Sequence, residues 1–405
     1  MVIKSKKCML MKNLILYIGC FLCLFITTTT APYLGIKTVG IFSYGILIIL
    51  FFYSLFFNFR FFKKRNFKIE WYIIIVFLLY GLIKLVDDDI QSVQSSFFFL
   101  AVPMMISMLV QIQSVQTKQK IAKIVLFFFI IESILAIYER ITYTNTFELN
   151  NIDDITSIDF ESWSFRSTSF LGHPLNNALC VSIMMGTILV SKINEKYKFI
   201  FLIIGFLGIL SFNARGATLV MSFIIIYYFY LSYIKYGRQI YYKTLLVLAS
   251  IIGVSFFYYI ITSTSLGGRL MNYDKIIDGS AQARLDVFEA FNYFSGKDFL
   301  FGNQSLYVPI MEKLAQGGIE NSYIVIILKF GIIIGVPVII LLISYVFNKL
   351  KGFILSKKII IVFSFLIIGS TNNGLVEIAP WILFILCINT FPFINYNIKT
   401  INNFN

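Results

Sequence analysis

From Leu14 to Phe391 the chain alternates long apolar runs with short polar junctions. A helix needs roughly 20 mostly apolar residues to cross a bilayer, and the runs cluster around that length. The pattern predicts an all-α fold, a polytopic membrane protein of about 12 transmembrane helices. The predicted spans are 13–29, 38–57, 70–86, 97–112, 121–138, 174–191, 198–212, 215–234, 244–262, 321–347, 358–373 and 377–392.

Two predicted external segments are long. Residues 139–173 form one, with an acidic stretch at Glu148, Asp153, Asp154, Asp159 and Glu161. Residues 263–320 form the larger one, punctuated by Gly267, Gly268, Gly296, Gly302, Gly317 and Gly318, which mark turns. Inside it, 281–294 places Leu285, Phe288 and Phe291 on one helical face, which predicts an amphipathic helix on the membrane surface or capping the bundle. The organisation is thus a membrane bundle over 1–262, the large loop over 263–320, and a second bundle segment with its tail over 321–405.

Composition agrees. Apolar residues make up 58% and charged residues 13% of 405, and mean hydropathy is +0.83, which leaves no soluble domain of ordinary size. A net charge of +14 taken alone would point to nucleic acid, but the basic residues sit in clusters at alternate junctions. Placing the N-terminus inside puts 23 of the 34 Lys and Arg on the cytoplasmic side, with only Glu70 and Glu195 among the acids there. That is the positive-inside pattern, and it predicts cytoplasmic N- and C-termini and no nucleic-acid partner. Lys4, Lys6, Lys7 and Lys12 ahead of an apolar run resemble a signal peptide, yet an uncleaved first helix is expected. Cys8, Cys20, Cys23, Cys180 and Cys387 fall in spans or on the inner side, so no external disulfide framework is expected.

One asymmetry carries chemistry. The cytoplasmic cations are 20 Lys and 3 Arg, whereas the external ones are Arg140, Arg166, Arg215, Arg269 and Arg284 against four Lys. Topology needs only positive charge. Arg adds a planar donor fork that binds phosphate or carboxylate bidentately. External Arg at span mouths therefore points to an anionic ligand at the outer leaflet, the other reading being pairs with carboxylates such as Asp153, Asp286 and Glu289. Arg215 lies in the tight hairpin Ser211-Phe-Asn-Ala-Arg-Gly216, too short to hold it far from the bilayer. It faces a polar cavity or an anion, or else snorkels to the interface.

A second cluster is RSTSFLGHPLNN, Arg166 through Asn177, with His173 before Pro174 at a helix start and Asn176 and Asn177 on its first turn. His173 is a cap or interface residue on the plain reading and a base on the functional one. The third cluster, Gly317-Gly-Ile-Glu320-Asn321-Ser-Tyr323, leads into the tenth span. Glu320 there is a helix cap or a group placed to accept a hydroxyl proton. Lys329 and Glu377 are intramembrane charges that pair or line one cavity, and Lys84 and Glu132 form a further possible pair. No metal constellation, P-loop or dinucleotide motif is visible, so neither metal nor cofactor is expected.

Taken in order, Arg166…Gly172-His-Pro-Leu-Asn176, Ser211…Ala214-Arg-Gly216, Arg284…Phe301-Gly302 and Glu320-Asn-Ser-Tyr323 with Lys329-Phe-Gly331 resemble the O-antigen polymerase and O-antigen ligase superfamily (Wzy-type and WaaL-type membrane glycosyltransferases). The resemblance spans about residues 70–392 and rests on motif order. It implies a glycosyltransferase of undecaprenyl-diphosphate-linked oligosaccharides, working on the outer face of the bacterial cytoplasmic membrane. The expected catalytic groups are Glu320, Arg215 and Arg284. Substrate contacts are expected from Arg166, His173, Asn177, Asn213, Arg269, Asn321 and Tyr323. Partners implied are the lipid-linked oligosaccharide, membrane lipid, and flippase and chain-length regulator proteins. Glu320-Asn321 stands where ligase-type members commonly carry His-Asn, which favours a polymerase over a ligase. A lipid-linked oligosaccharide flippase is the competing class, but neither repeat-related halves nor matched helix breaks are evident in the sequence.

Overall fold

The computed structural model describes residues 2–57, 67–147, 165–235, 287–313 and 319–394, with scattered positions between 58 and 66 and between 244 and 264. Every regular element among the described residues is helical. The principal ones are α1 (Val2–Phe25), α2 (Val39–Phe57), α3 (Lys68–Val86), α4 (Ile90–Ser96), α5 (Val102–Gln111), α6 (Val115–Thr142), α7 (Pro174–Val190), α8 (Glu195–Ser211) and α9 (Arg215–Lys235). After the large loop come α10 (Gly296–Phe301), α11 (Tyr307–Lys313), α12 (Ser322–Lys349), α13 (Leu355–Val362), α14 (Ile368–Ser370) and α15 (Ile378–Thr390).

Six helical stretches are long and apolar enough to cross a membrane, and Met11–Phe25, Pro174–Val190 and Ile378–Phe393 are shorter apolar helices. The predicted ninth span lies almost entirely outside the described residues. Burial sorts the spans by position. In the stretch Ile90–Gln111, 72% of the apolar window is buried, against 22% for Arg215–Ile234, so the first is central and α9 peripheral. Helix α15 is buried nearly all round, as an apolar helix without a polar face must be. Its Phe384 stacks on Phe365 at 4.4 Å, and Trp381 meets Phe365 edge-on at 4.9 Å.

The fourth predicted span begins earlier than expected, because α4 runs through a π-turn at Phe97–Ala101 into α5. Pro103 explains the turn: its ring cannot donate and crowds the carbonyl four residues back, which the extra residue relieves. The tenth span is broken at Gly331, whose φ of 68° and ψ of 171° are not helical. Backbone groups freed inside a bilayer must find partners. Here Leu328 O accepts from Asn303 N at 2.9 Å and Lys329 O from the Tyr80 hydroxyl at 2.9 Å. The large loop thus folds back onto the break. Gly302 and Gly331 meet backbone to backbone, both at positive φ, and a Cβ on either would strike the other's chain. Helix α10, opened by a Ser295–Asp298 capping box, delivers Gly302 to this contact.

One expected charge pair does not form. Lys84 does not pair with Glu132; its Nζ donates to Gly302 O at 3.2 Å, while Glu132 accepts from Phe170 N at 3.4 Å. Each charge meets a loop backbone that sequence spacing cannot reveal. Glu70, fully buried, pairs with Lys349 and accepts from Gln111 Nε2 at 3.0 Å, linking α3, α5 and α12. Of the predicted amphipathic helix, 281–286 lies outside the described residues, and Val287–Tyr293 is a 3-10 helix with Val287 and Ala290 buried.

Candidate functional site

The loop before α7 is built from below. At the end of α6, the buried Glu139 carboxylate accepts from Ser167 Oγ at 2.5 Å, Thr168 N at 3.0 Å and Ser169 N at 2.9 Å through one oxygen. Its other oxygen accepts from Thr146 N at 2.8 Å. The neighbouring Arg140 is fully buried, donating to Phe165 O and lying 6.0 Å from the Phe165 ring centroid. An Arg read from sequence as a ligand group is therefore a fastener of the loop. The Thr27 and Thr29 hydroxyls hold Phe170 O from α1's end. Asn177, fully buried on the first turn of α7, donates to Thr168 O. This scaffold leaves Arg166 half-buried at the rim.

The α8–α9 hairpin meets the same loop. Asn213 takes a φ of 54°, a left-handed conformation that Asn tolerates, and donates from Nδ2 to Phe165 O at 3.2 Å. Arg166 Nε donates to Phe212 O at 3.5 Å, and Ser167 N to Ser211 O at 3.3 Å. The turn makes Arg215 the first residue of α9, so its guanidinium stands at a helix N-terminus, where backbone N–H groups and the helix dipole favour an anion.

The third wall comes from the connector between α14 and α15, Thr371-Asn-Asn-Gly-Leu-Val-Glu377. Ser322, at the start of α12, holds it: its hydroxyl contacts Gly369 O at 2.9 Å and Asn372 O at 2.6 Å, and it accepts from Leu375 N at 3.0 Å. Asn372 Nδ2 donates to Leu175 O at 3.3 Å. Arg166, Arg215, Asn213, Gly216, Thr371 and Asn372 thereby line one cavity of about 150 Å³, with no acidic side chain among its described lining. Two guanidinium groups, side-chain amides and a helix N-terminus give it the donors that an anion the size of phosphate would need.

His173 stands exposed beside this cavity. Its ring keeps solvent access, but the walls around it remove much of its water; this, and then the Arg166 charge, lowers it to about 4, so the imidazole is neutral at pH 7. Glu320, half-buried, is not the cap of α12; that place is taken by Asn321, whose Oδ1 accepts from Tyr323 N at 3.0 Å and Ile324 N at 3.2 Å. Glu320, Asn321 and Tyr323 do not line the Arg-rich cavity. Arg269 and Arg284 lie outside the described residues.

The structure thus brings Arg166, Arg215 and Asn213 together, with His173 alongside and Asn177 underneath. Sequence reasoning missed Glu139 as the loop's anchor and Thr371 and Asn372 as lining. The signal available for the last two was a pair of Asn residues at a span boundary, the same feature that flagged Asn176-Asn177.

Beyond the connector lies a larger cavity of about 490 Å³, whose lining includes Gln91, Gln304, Tyr307, Lys329, Asn373 and Glu377. Lys329 and Glu377 were expected to pair or share a cavity, and they share one. Among the described residues no group of three His, Cys, Asp or Glu side chains is placed to hold a metal ion. Compared with known proteins, the chain matches no family model and no curated sequence.

Proposed function

We propose that this chain is a polymerase of undecaprenyl-diphosphate-linked oligosaccharide repeat units. It lies in a bacterial cytoplasmic membrane with about 12 spans and both termini inside, and it works at the outer face. The observation that supports this reading most is the convergence of Arg166 and Arg215 in one cavity whose described lining carries no acid. The motif order along the chain supplies the family resemblance, and the cavity supplies the cationic donors that a phosphate of the lipid diphosphate needs.

In this reading an acceptor sugar hydroxyl attacks the anomeric carbon of the growing glycan. The new bond forms as the bond from that carbon to the phosphate oxygen breaks, its electron pair leaving with the lipid diphosphate. Arg166 and Arg215 stabilise the charge that develops there, the term on which such a transfer most depends. The hydroxyl proton passes to a carboxylate or to water. Glu320 is the acceptor that the resemblance offers, although it lines neither cavity.

The test is reconstitution of the full chain in liposomes with a verified lipid-linked repeat unit, following chain length by gel. Elongation that falls at least 100-fold in Arg215→Ala is expected, by analogy with loss of one stabilising group at an oxyanion. Elongation undiminished in that variant would sink the mechanism. A transporter reading draws on the break in α12 at Gly331, and the same liposomes separate the two. A flippase moves the lipid-linked unit across the bilayer without lengthening the glycan.

A further inference from the structure

We infer that the 490 Å³ cavity is a saccharide-binding site distinct from the Arg-rich one. Its size alone separates the two. Pockets that take small organic molecules run from about 300 to 1,000 Å³, a range that includes this cavity and excludes the 150 Å³ one.

The lining chemistry identifies the class of ligand. Gln91, Gln304 and Asn373 contribute side-chain amides, each both donor and acceptor, and Tyr307 contributes a half-buried aromatic wall. Lys329 and Glu377 bring one charge of each sign. They feel each other's field, and among the described residues neither side chain forms a salt bridge or a hydrogen bond. Asp89 lines the same cavity and accepts from Ser92 N at 3.0 Å and Ser92 Oγ at 2.5 Å as the cap of α4, which leaves lone pairs on both its oxygens. The lining thus holds two carboxylates against one ammonium. A phosphate would meet opposing acid on two sides, and among the described residues no third His, Cys, Asp or Glu joins Asp89 and Glu377 to hold a metal ion. A neutral, hydroxyl-rich ligand satisfies both ends at once, donating to Glu377 and accepting from Lys329. Asn373 Oδ1, buried without a partner among the described residues, is a further waiting acceptor.

Position assigns the role. Asn372 lines the Arg-rich cavity and Asn373 the larger one, so the two share a wall at adjacent residues, whose Cα atoms lie about 3.8 Å apart. Two substrates seated side by side would put one's sugar in the larger cavity and the other's diphosphate in the smaller. Resting on the polymerase reading, the sugar held here is the acceptor repeat unit. Saccharide binding itself does not depend on that reading.

The experiment uses the full chain in phosphatidylglycerol–phosphatidylethanolamine nanodiscs, probed on an array of phosphate-free oligosaccharides and, separately, with farnesyl diphosphate. Glu377→Gln, Lys329→Met and Gln304→Ala are each expected to lower saccharide signal at least tenfold while leaving farnesyl diphosphate affinity within twofold. Arg166→Ala and Arg215→Ala are expected to do the reverse. Gln304 sits on a short loop element, so its variant separates binding from bundle folding. Absence of any saccharide signal, or signal retained in all three cavity variants, overturns the inference. Arg variants that keep farnesyl diphosphate affinity overturn the polymerase reading instead, and leave the saccharide site standing.

Discussion

Removal of the Glu139 carboxylate should unfasten the loop that presents Arg166. Four hydrogen bonds end on it, from Ser167 Oγ, Thr168 N, Ser169 N and Thr146 N, at 2.5–3.0 Å. Each buried donor left unsatisfied costs about 1–3 kcal/mol. Glu139→Ala orphans the Thr168 and Ser169 N–H groups inside the fold, while the exposed Thr146 can turn to water, so about 2 kcal/mol is the lower end of the expected loss. Glu139→Gln keeps the shape but turns one accepting oxygen into an NH₂ group, for a loss of about 1–3 kcal/mol. A deficit of about 1–3 kcal/mol changes a conformational ratio by about 5–150-fold, which sets the upper limit on the weakening of anion affinity. The assay pairs farnesyl diphosphate binding in nanodiscs with hydrogen exchange at the Ser167–Ser169 amides. Glu139→Gln should accelerate that exchange and weaken binding together. Unchanged exchange with unchanged affinity would refute the claim that this carboxylate positions Arg166.

Lys349→Met should destabilise the bundle by about 3–5 kcal/mol, because it leaves the buried Glu70 carboxylate without its cation; adding Glu70→Leu should recover part of the Tm. Gly302→Ala and Gly331→Ala should each lower the yield of folded protein, since both residues hold positive φ at a backbone contact with no room for a Cβ; wild-type-like Tm in either would contradict the docking of the large loop. For His173 the folded value of about 4 lies below the ordinary 6.5, so the unfolded chain takes up a proton here first as pH falls. The wild type should therefore lose more stability than His173→Gln between pH 6.5 and 4, and anion binding from pH 7 to 8 should have the same pH profile in both. A difference in that upper window would assign the imidazole a titrating role.

Much of this molecule is legible in its apolar periodicity, because an apolar run of helix length has one good solution in a bilayer. The break at Gly331 was not legible, since a lone Gly in a Leu/Ile-rich run reads as a tolerated helix residue until the carbonyls it frees are seen to meet Asn303 and Tyr80. Arg140 looked like its external neighbours, yet the Phe165 carbonyl claims it. That contact joins residues 25 apart through a loop with no periodic signal. Lys84 and Glu132 were matched by charge, but each found a backbone partner instead. Arg166, Asn213 and Arg215 were flagged by residue type and do share a cavity, while which side chains line it and which brace it was decided by tertiary contacts.

The connector from Thr371 to Glu377 has a thermodynamic consequence. It is a partition with one cavity on each face, pinned in the middle by Ser322. A shift in Asn372 driven by an anion is passed to Asn373 through a single peptide bond. Reciprocity then requires that any factor by which the anion changes sugar affinity be matched by the same factor in the opposite direction. Measured from both sides, that shared factor would report how stiff the partition is. A factor of one would mean that the wall holds still, and that the two pockets work as independent clamps on one substrate pair.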